Sequence, residues 1–350
     1  MRVRAGFAAL ALTAAATAAI GAQSGGAARN STLTAVPGIK VGHHTLAERP
    51  TGCTVILAEA GVTAGVDVRG SAPATRETDL LNPVNLVQIA HAIVLSGGSA
   101  FGLDAASGVM RFLEERRIGF EFGPAHVPIV PAAAIFDLSV GDGRIRPGAD
   151  CGYQAARAAT DAPVADGSIG AGAGATVGKV GGMGRSMKGG VGSAAIALPN
   201  GLIVAALVVV NAAGDVIDPS NGQVVAGVRT ADGKAFADAR KILRAGGAGT
   251  AAPRQNTTLG VIATNARLTK TDATRVSQMA HDGFARALAP SHTPGDGDVI
   301  FTLATGAPGA PAADAGQVGA LAAEVVADAI VRAARQATGV TGIPAVRDLK

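Results

Sequence analysis

From Ala35 onward, short apolar runs alternate with amphipathic stretches. Thr54 to Leu57 and Val62 to Val68 read as strands, and so do Ile93 to Leu95. Val84 to His91 reads as a helix or its start. Ala100 to Arg116 has Leu103, Ala106, Val109, Met110 and Leu113 at helical spacing. Val127 to Phe136 is a further apolar run, closed by Asp137. Val191 to Leu198 and Leu202 to Val210 flank Pro199-Asn200-Gly201, which predicts a hairpin. Lys234 to Arg244 is amphipathic, Asp272 to Leu288 is a helix with Val276, Met279, Ala280, Gly283 and Phe284 inward, Val299 to Ala304 is a strand, and Gln317 to Ala337 is a long Ala-rich helix. Few helices and many strands, mixed throughout, predict a layered α/β sandwich.

One stretch breaks the rhythm. Gly246 to Pro253 is a loose Gly/Ala run with the composition of a flexible linker. Asn256-Thr257-Thr258 then leads into the β-branched run Leu259 to Thr264. A hydroxyl residue therefore stands where a loop meets a strand. Asn and Thr are ordinary residues at a strand start. The same place also suits a chain cut that exposes a new N-terminus. An N-terminal Thr carries a nucleophile and a base on one residue: its hydroxyl attacks while its α-amine, titrating near ~8, takes the proton.

Composition narrows the reading. Apolar residues are 48% of the 350, but aromatics are only 3% and Gly numbers 49, about twice the usual share. That balance predicts tightly packed layers of small residues. The net charge of +4 is dispersed, with no Lys/Arg stripe interleaved with aromatics, which argues against nucleic acid as a partner. Arg2 and Arg4, the Ala/Leu-rich run Phe7 to Ile20 and the small residues around Ala22 resemble a secretory signal peptide over residues 1–22. An exported protein, periplasmic or secreted, follows, with no membrane anchor once the signal is cut. Residues 23–34 read as a disordered lead-in, and residues 35–350 as one catalytic domain. Cys53 and Cys151 each lie beside glycine in apolar surroundings. A disulfide and two buried thiols both fit.

Four polar features stand at strand ends: Thr257, Asn211, Lys179 and the pair Asp296/Asp298. Each has an ordinary role available: strand start, strand-end cap, loop charge and turn. Asp-x-Asp also fits a metal pair, but His and Glu partners at ligand spacing are missing. Ser96 to Gly102, between a strand and a helix, is a loop whose backbone N–H groups can converge on an anion, or a tight turn that needs glycine. Three nucleotide and nucleophile motifs fail. Gly178-Lys179 has Ala173 and Val180 where a phosphate loop needs Gly and Ser/Thr. Gly172 and Gly174 are followed by Val177 rather than the third dinucleotide glycine. Phe101 stands where a nucleophile elbow needs Gly.

The order of five segments resembles the P1 peptidase family of L-aminopeptidase/D-esterases, β-aminopeptidases and nylon-oligomer endo-hydrolases. They are Ala35-Val36-Pro37-Gly38-Ile39-Lys40-Val41-Gly42-His43, Thr51-Gly52-Cys53-Thr54-Val55, Ser96-Gly97-Gly98-Ser99-Ala100-Phe101-Gly102-Leu103-Asp104, Val209-Val210-Asn211-Ala212 and Asn256-Thr257-Thr258. The resemblance covers nearly all of residues 35–345. It implies a four-layer αββα sandwich resembling N-terminal nucleophile hydrolases, often tetrameric, made as an inactive precursor. Self-cleavage would fall between Asn256 and Thr257, leaving Thr257 as the nucleophile. Asn211 matches an amide at the oxyanion site, and Lys179 a lysine near the nucleophile. Asp296 and Asp298 match the carboxylates of the nylon-oligomer branch, as does the Asn-Thr junction. The family often has Tyr at the position aligned with Phe136, so this chain lacks that hydroxyl.

The implied activity is amide hydrolysis through an acyl-enzyme on a peptide or small amide, without metal or cofactor. The chain is expected to act as an aminopeptidase. An endo-hydrolase of linear oligoamides and a non-catalytic exported binding protein are the alternatives.

Overall fold

The computed structural model describes Met1 and residues 30–247, 256–306 and 309–349. Residues 2–29, with nearly all of the signal-like stretch, and residues 248–255 of the linker lie outside the described residues. Nine strands build the main sheet: β1 (Lys40–Thr45), β2 (Gly52–Val68), β3 (Thr75–Arg76), β4 (Ile89–Ser96), β5 (Ala132–Ala134), β6 (Gly190–Ala197), β7 (Ile203–Asn211), β8 (Thr257–Thr264) and β9 (Val299–Ala304). The α-helices are α1 (Ala105–Glu114), α2 (Ala149–Arg157), α3 (Ala239–Arg244), α4 (Lys270–Ala287) and α5 (Ala315–Gln336). Strand order is β6-β7-β8-β9-β2-β4-β5-β3, with β1 paired to β2.

The two apolar runs at 54–57 and 62–68 form one long strand, β2, not two. Its first part pairs with β1 and β4 and its last part with β9, with a register shift between Leu57 and Val62. That irregularity folds the sheet into two facing halves. Alternate residues of each buried strand then face different layers. Val204, Ala206, Val208 and Val210 of β7 pack with α4 and α5. Ala205, Leu207 and Val209 face Ile56, Ile93 and Leu95 across the inter-sheet core. Val55, Leu57, Ala92 and Val94 pack with α1 and α2. Three cores between four layers make the αββα sandwich. α4 begins where Thr269 and Asp272 form a reciprocal capping box. α5 lays Ala322, Ala329 and Ala333 on the sheet, the small-residue packing that composition predicts.

Several local expectations are corrected. Residues 30–34 of the expected lead-in are ordered: Leu33 is fully buried, and its N–H donates to Ser193 Oγ at 2.8 Å. Val84 to His91 is a loop that runs into β4, not a helix. The side chains of Val84 and Leu86 point outward, and buried Lys270 donates to the carbonyls of Leu80, Asn85 and Val87 (2.9–3.2 Å), which holds that loop without helical bonding. The helix expected over 234–244 is only the short α3. Cys53 and Cys151 are joined as a disulfide between β2 and α2, with Cα atoms 6.2 Å apart.

Candidate active site

Topology alone assembles most of the site. β8 and β9 are parallel, so both begin at the same sheet edge, and β7, antiparallel to β8, ends there. Thr257 opens β8, Asn211 closes β7 as its register partner, and Asp296 and Asp298 lie just before β9. A lone parallel bridge joins Asn256 to Asp296. All five residues are buried, as is Lys179.

The Asn256–Thr257 junction is held on several sides. Thr257 Oγ1 donates to the Asn256 carbonyl oxygen at 2.5 Å, and the Gly297 N–H reaches the same oxygen at 2.9 Å. Gly297 has no room for a side chain: a Cβ there would lie 2.6 Å from Ala72 O and 2.8 Å from Thr257 Oγ1. Asp298 Oδ1 accepts the Thr258 N–H at 2.7 Å, while its Oδ2 accepts from His292 Nδ1 at 2.8 Å. Asp296 Oδ2 accepts the Thr293 N–H at 2.5 Å, and its Oδ1 is buried without a hydrogen-bond partner among the described residues. The two carboxylates thus face different partners. Among the described residues, no group of three or more His, Cys, Asp or Glu is placed to hold a metal ion.

Asn211 is the hub on the other side. Its Oδ1 accepts from the Thr176 N–H and from Lys179 Nζ, both at 3.0 Å. Lys179 Nζ also donates to Asn211 O at 3.0 Å. Asn211 Nδ2 donates to Phe136 O at 3.0 Å, which uses one of its two amide hydrogens. Phe136 therefore contributes its backbone where a tyrosine hydroxyl was the comparison.

Burial dominates the electrostatics. It lowers Lys179 to about 7, against the opposing pull of Asp296, and nearby Lys188 pushes the same way as burial. Lys188, donating to Ala173 O and Ala175 O at 2.7 Å each, is likewise lowered to about 7 by burial. Asp296 is raised, first by burial and then by the charge of Asp298, with Thr293 and Lys179 opposing. A lysine that loses its proton near neutrality next to a carboxyl that resists ionising is a site suited to moving protons.

A small cleft of about 50 Å³ lies beside Thr257, lined by Ala72, Ala74, Ser99, Ala134, Phe136 and Gly295, with Asn256 as part of its wall. Larger clefts lie elsewhere, one of about 660 Å³ along residues 338–344, and none of the candidate residues lines it.

In the loop after β4 three N–H groups turn inward: Gly97 to Gly52 O (2.9 Å), Gly98 to Asp137 Oδ1 (2.8 Å) and Ser99 to Ile135 O (2.9 Å). Asp137 is itself paired with Arg49 at 2.8 Å, with both side chains fully buried, and accepts from Thr51 Oγ1 at 2.6 Å. Arg49, Asp137, Lys188, Thr176, Gly297 and His292 are the site neighbours that sequence reasoning did not select. Asp137 stands at the end of an apolar run, which was its visible signal. Thr176 and Lys188 face each other in a two-residue ribbon too short to show periodicity, and the rest sit in loops.

Residues 31–347 match peptidase family S58. The chain is 43% identical over 346 residues to an uncharacterized aminopeptidase of Mycobacterium tuberculosis, covering 91% of this chain and 98% of that protein. It is 32% identical over 279 residues to a 6-aminohexanoate-oligomer endohydrolase of Kocuria sp., covering 77% and 73% respectively. A solved β-aminopeptidase of Burkholderia sp. has TM-score 0.64 and 25% identity over 89% of this chain and 88% of that one. The L-aminopeptidase D-Ala-esterase/amidase of Ochrobactrum anthropi, a variant of the Ntn hydrolase fold, shares the fold with TM-score 0.66 at 18% identity, over 90% and 89%. With the family match spanning the sandwich and the site alike, this chain belongs to peptidase family S58 and is an amide-bond hydrolase.

Proposed function

We propose that this chain is a self-processing aminopeptidase whose nucleophile is the Thr257 hydroxyl, released by cutting the Asn256–Thr257 bond. The observation that carries the reading is the convergence of Thr257 Oγ1 and the Gly297 N–H on the Asn256 carbonyl oxygen. In the uncut chain the Thr257 nitrogen is an amide and cannot act as a base. Lys179, near-neutral and bonded to the residue paired with Thr257, takes the hydroxyl proton. Oγ1 adds to the Asn256 carbonyl carbon, and the developing oxyanion lies beside the Gly297 N–H. The C–N bond breaks as the proton passes to the Thr257 nitrogen, leaving an ester. Water hydrolyses that ester to the Asn256 carboxylate and a free N-terminal Thr257.

The freed amine then serves as the base for the same hydroxyl on a substrate. The remaining Asn211 amide hydrogen and neighbouring N–H groups receive the oxyanion, and water releases the acid from the acyl-enzyme. The partnerless, buried Asp296 Oδ1 suits a substrate ammonium, which supports exo-cleavage of peptides. The second reading, an endo-hydrolase of linear oligoamides, is supported by likeness to the 6-aminohexanoate-oligomer endohydrolase. An amino acid p-nitroanilide and its N-acetyl form separate them, since an endo-hydrolase accepts both.

Intact mass and N-terminal sequencing test the core of the reading. The wild type is expected to give a fragment beginning Thr-Thr-Leu-Gly-Val, and Thr257→Ala a single chain without hydrolase activity. Cleavage persisting in Thr257→Ala would overturn it. The same spectrum reads the other terminus, where loss of about 22 residues is expected from the signal-like composition.

A further inference from the structure

Behind the site is a group that this chemistry does not use. His292 lies in the loop between α4 and β9, with most of its side chain buried. Its Nδ1 and its backbone N–H both donate to Asp298 Oδ2, at 2.8 and 3.3 Å. The other oxygen of that carboxylate accepts the Thr258 N–H at 2.7 Å. The imidazole stacks edge-on against His281 (centroids 4.9 Å apart) and lies 5.9 Å from the Phe284 ring. Its Nε2 has no hydrogen-bond partner among the described residues. The contact to Asp298 is therefore what anchors the ring. His292 also has φ +52°, a left-handed backbone that is costly for a non-glycine residue and persists where the surroundings enforce it.

We propose that His292 is the positioning residue for Asp298, and through it for the Thr257 hydroxyl. This rests on the reading of Thr257 as nucleophile. The carboxylate is clamped between His292 and the Thr258 N–H. The Thr258 N–H belongs to the peptide plane that follows Thr257. Fixing that plane fixes the Thr257 backbone and hence the direction of its Cα–Cβ bond. Without the imidazole donor only the longer bond from the residue-292 N–H, 3.3 Å, is left on Oδ2; the buried carboxylate is held less tightly, and the hydroxyl loses its aim while the substrate cleft is untouched. Outer hydrogen-bond partners of this kind are typically worth ~10–100-fold in activity.

His292→Asn and His292→Gly test it together. Both remove the ring and both tolerate a left-handed backbone. Only Asn keeps a donor at the position of Nδ1. On cleaved enzyme with an amino acid p-nitroanilide, the His292→Gly variant is expected to lose at least ~10-fold in kcat at unchanged KM, and the His292→Asn variant to keep kcat within ~3-fold of wild type. Equal kcat for the two variants would overturn the proposal. If the glycine variant does not fold, the asparagine variant decides alone, and a loss beyond about tenfold overturns it. A second measurement does not depend on the nucleophile. In uncut Thr257→Ala protein, hydrogen exchange at the Thr258 amide is expected to speed up with His292→Gly and not with His292→Asn. Equal exchange refutes the clamp whatever the identity of the nucleophile, whereas a wild-type fragment starting elsewhere refutes the nucleophile and leaves the exchange result standing.

Discussion

Two glycine loops of this molecule direct their N–H groups otherwise than their sequences suggest. Ser96-Gly97-Gly98-Ser99, between a strand and a helix, has the form of an anion cradle. Gly295-Asp296-Gly297-Asp298 has the form of a turn. In the fold, the first loop directs its N–H groups inward to Gly52 O, Asp137 Oδ1 and Ile135 O. The second directs the Gly297 N–H to the carbonyl oxygen of the Asn256–Thr257 bond. The difference lies in what faces each loop. A fully buried Asp137, neutralised by Arg49, draws in the Gly98 N–H. Facing Gly297 is a strand start, and the carbonyl it presents belongs to the Asn256–Thr257 bond itself. Donor-rich sequence marks a capacity, and the opposing group decides whether it goes to structure or to chemistry.

The sharpest way to break this contrast is Gly297→Ala. The added Cβ would meet Ala72 O and Thr257 Oγ1 at 2.6 and 2.8 Å, so the Gly297 N–H and the proposed nucleophile are both displaced. Self-cleavage is expected to slow by ~10²–10³, the usual effect of losing one oxyanion donor. The half-life of the uncut chain on a denaturing gel measures this, and a rate within about threefold of wild type would remove Gly297 from the chemistry.

The pH dependence is the next largest effect. Burial lowers Lys179 to about 7, so below that pH the neutral amine declines about tenfold per pH unit. The self-cleavage rate is therefore expected to rise about tenfold per unit up to pH ~7 and then level off. Lys179→Arg, which stays charged, is expected to give no cleavage across that range. A flat rate between about pH 5 and 7 would show that Lys179 is not the base. The sign for stability is the same. Between about 7 and the ordinary lysine value the unfolded chain binds a proton that the folded chain does not, so stability gains with rising pH in that window.

How much of this was legible in the sequence depends on whether the signal was periodic. β7, β8 and the hairpin of β6 with β7 are continuous apolar runs buried on both faces, and they read correctly. α4 and α5 carry clear stripes. Val84 to His91 reads as a helix or its start, yet the pairing of β4 from Ile89 onward leaves it a loop tied to Lys270. The site reads in part for a related reason. Thr257, Asn211 and the Asp pair sit at strand ends, and antiparallel and parallel pairing bring those ends to one edge. Lys188, Arg49 and His292 lie in aperiodic segments, and only the three-dimensional path brings them beneath that edge. The bond between Cys53 and Cys151 is of the same kind: 98 residues separate them, and only the packing of α2 on β2 puts them together.

The smallest expected effect sharpens the contrast from the other loop. Gly98 has φ +82°, with Pro147 Cδ 3.0 Å from where a Cβ would lie. An alanine there costs about 1–2 kcal/mol for the left-handed backbone. It also restricts the unfolded chain, which returns about 0.4–1 kcal/mol. The net loss of stability is thus about 1 kcal/mol, a modest fall in urea midpoint. Because the Gly98 N–H holds Asp137 and not the Asn256 carbonyl, self-cleavage of the folded Gly98→Ala protein is expected at the wild-type rate. A slowing approaching that of Gly297→Ala, in protein shown to be folded, would mean that the first loop also serves the reaction, and the division of labour between the two loops would fail.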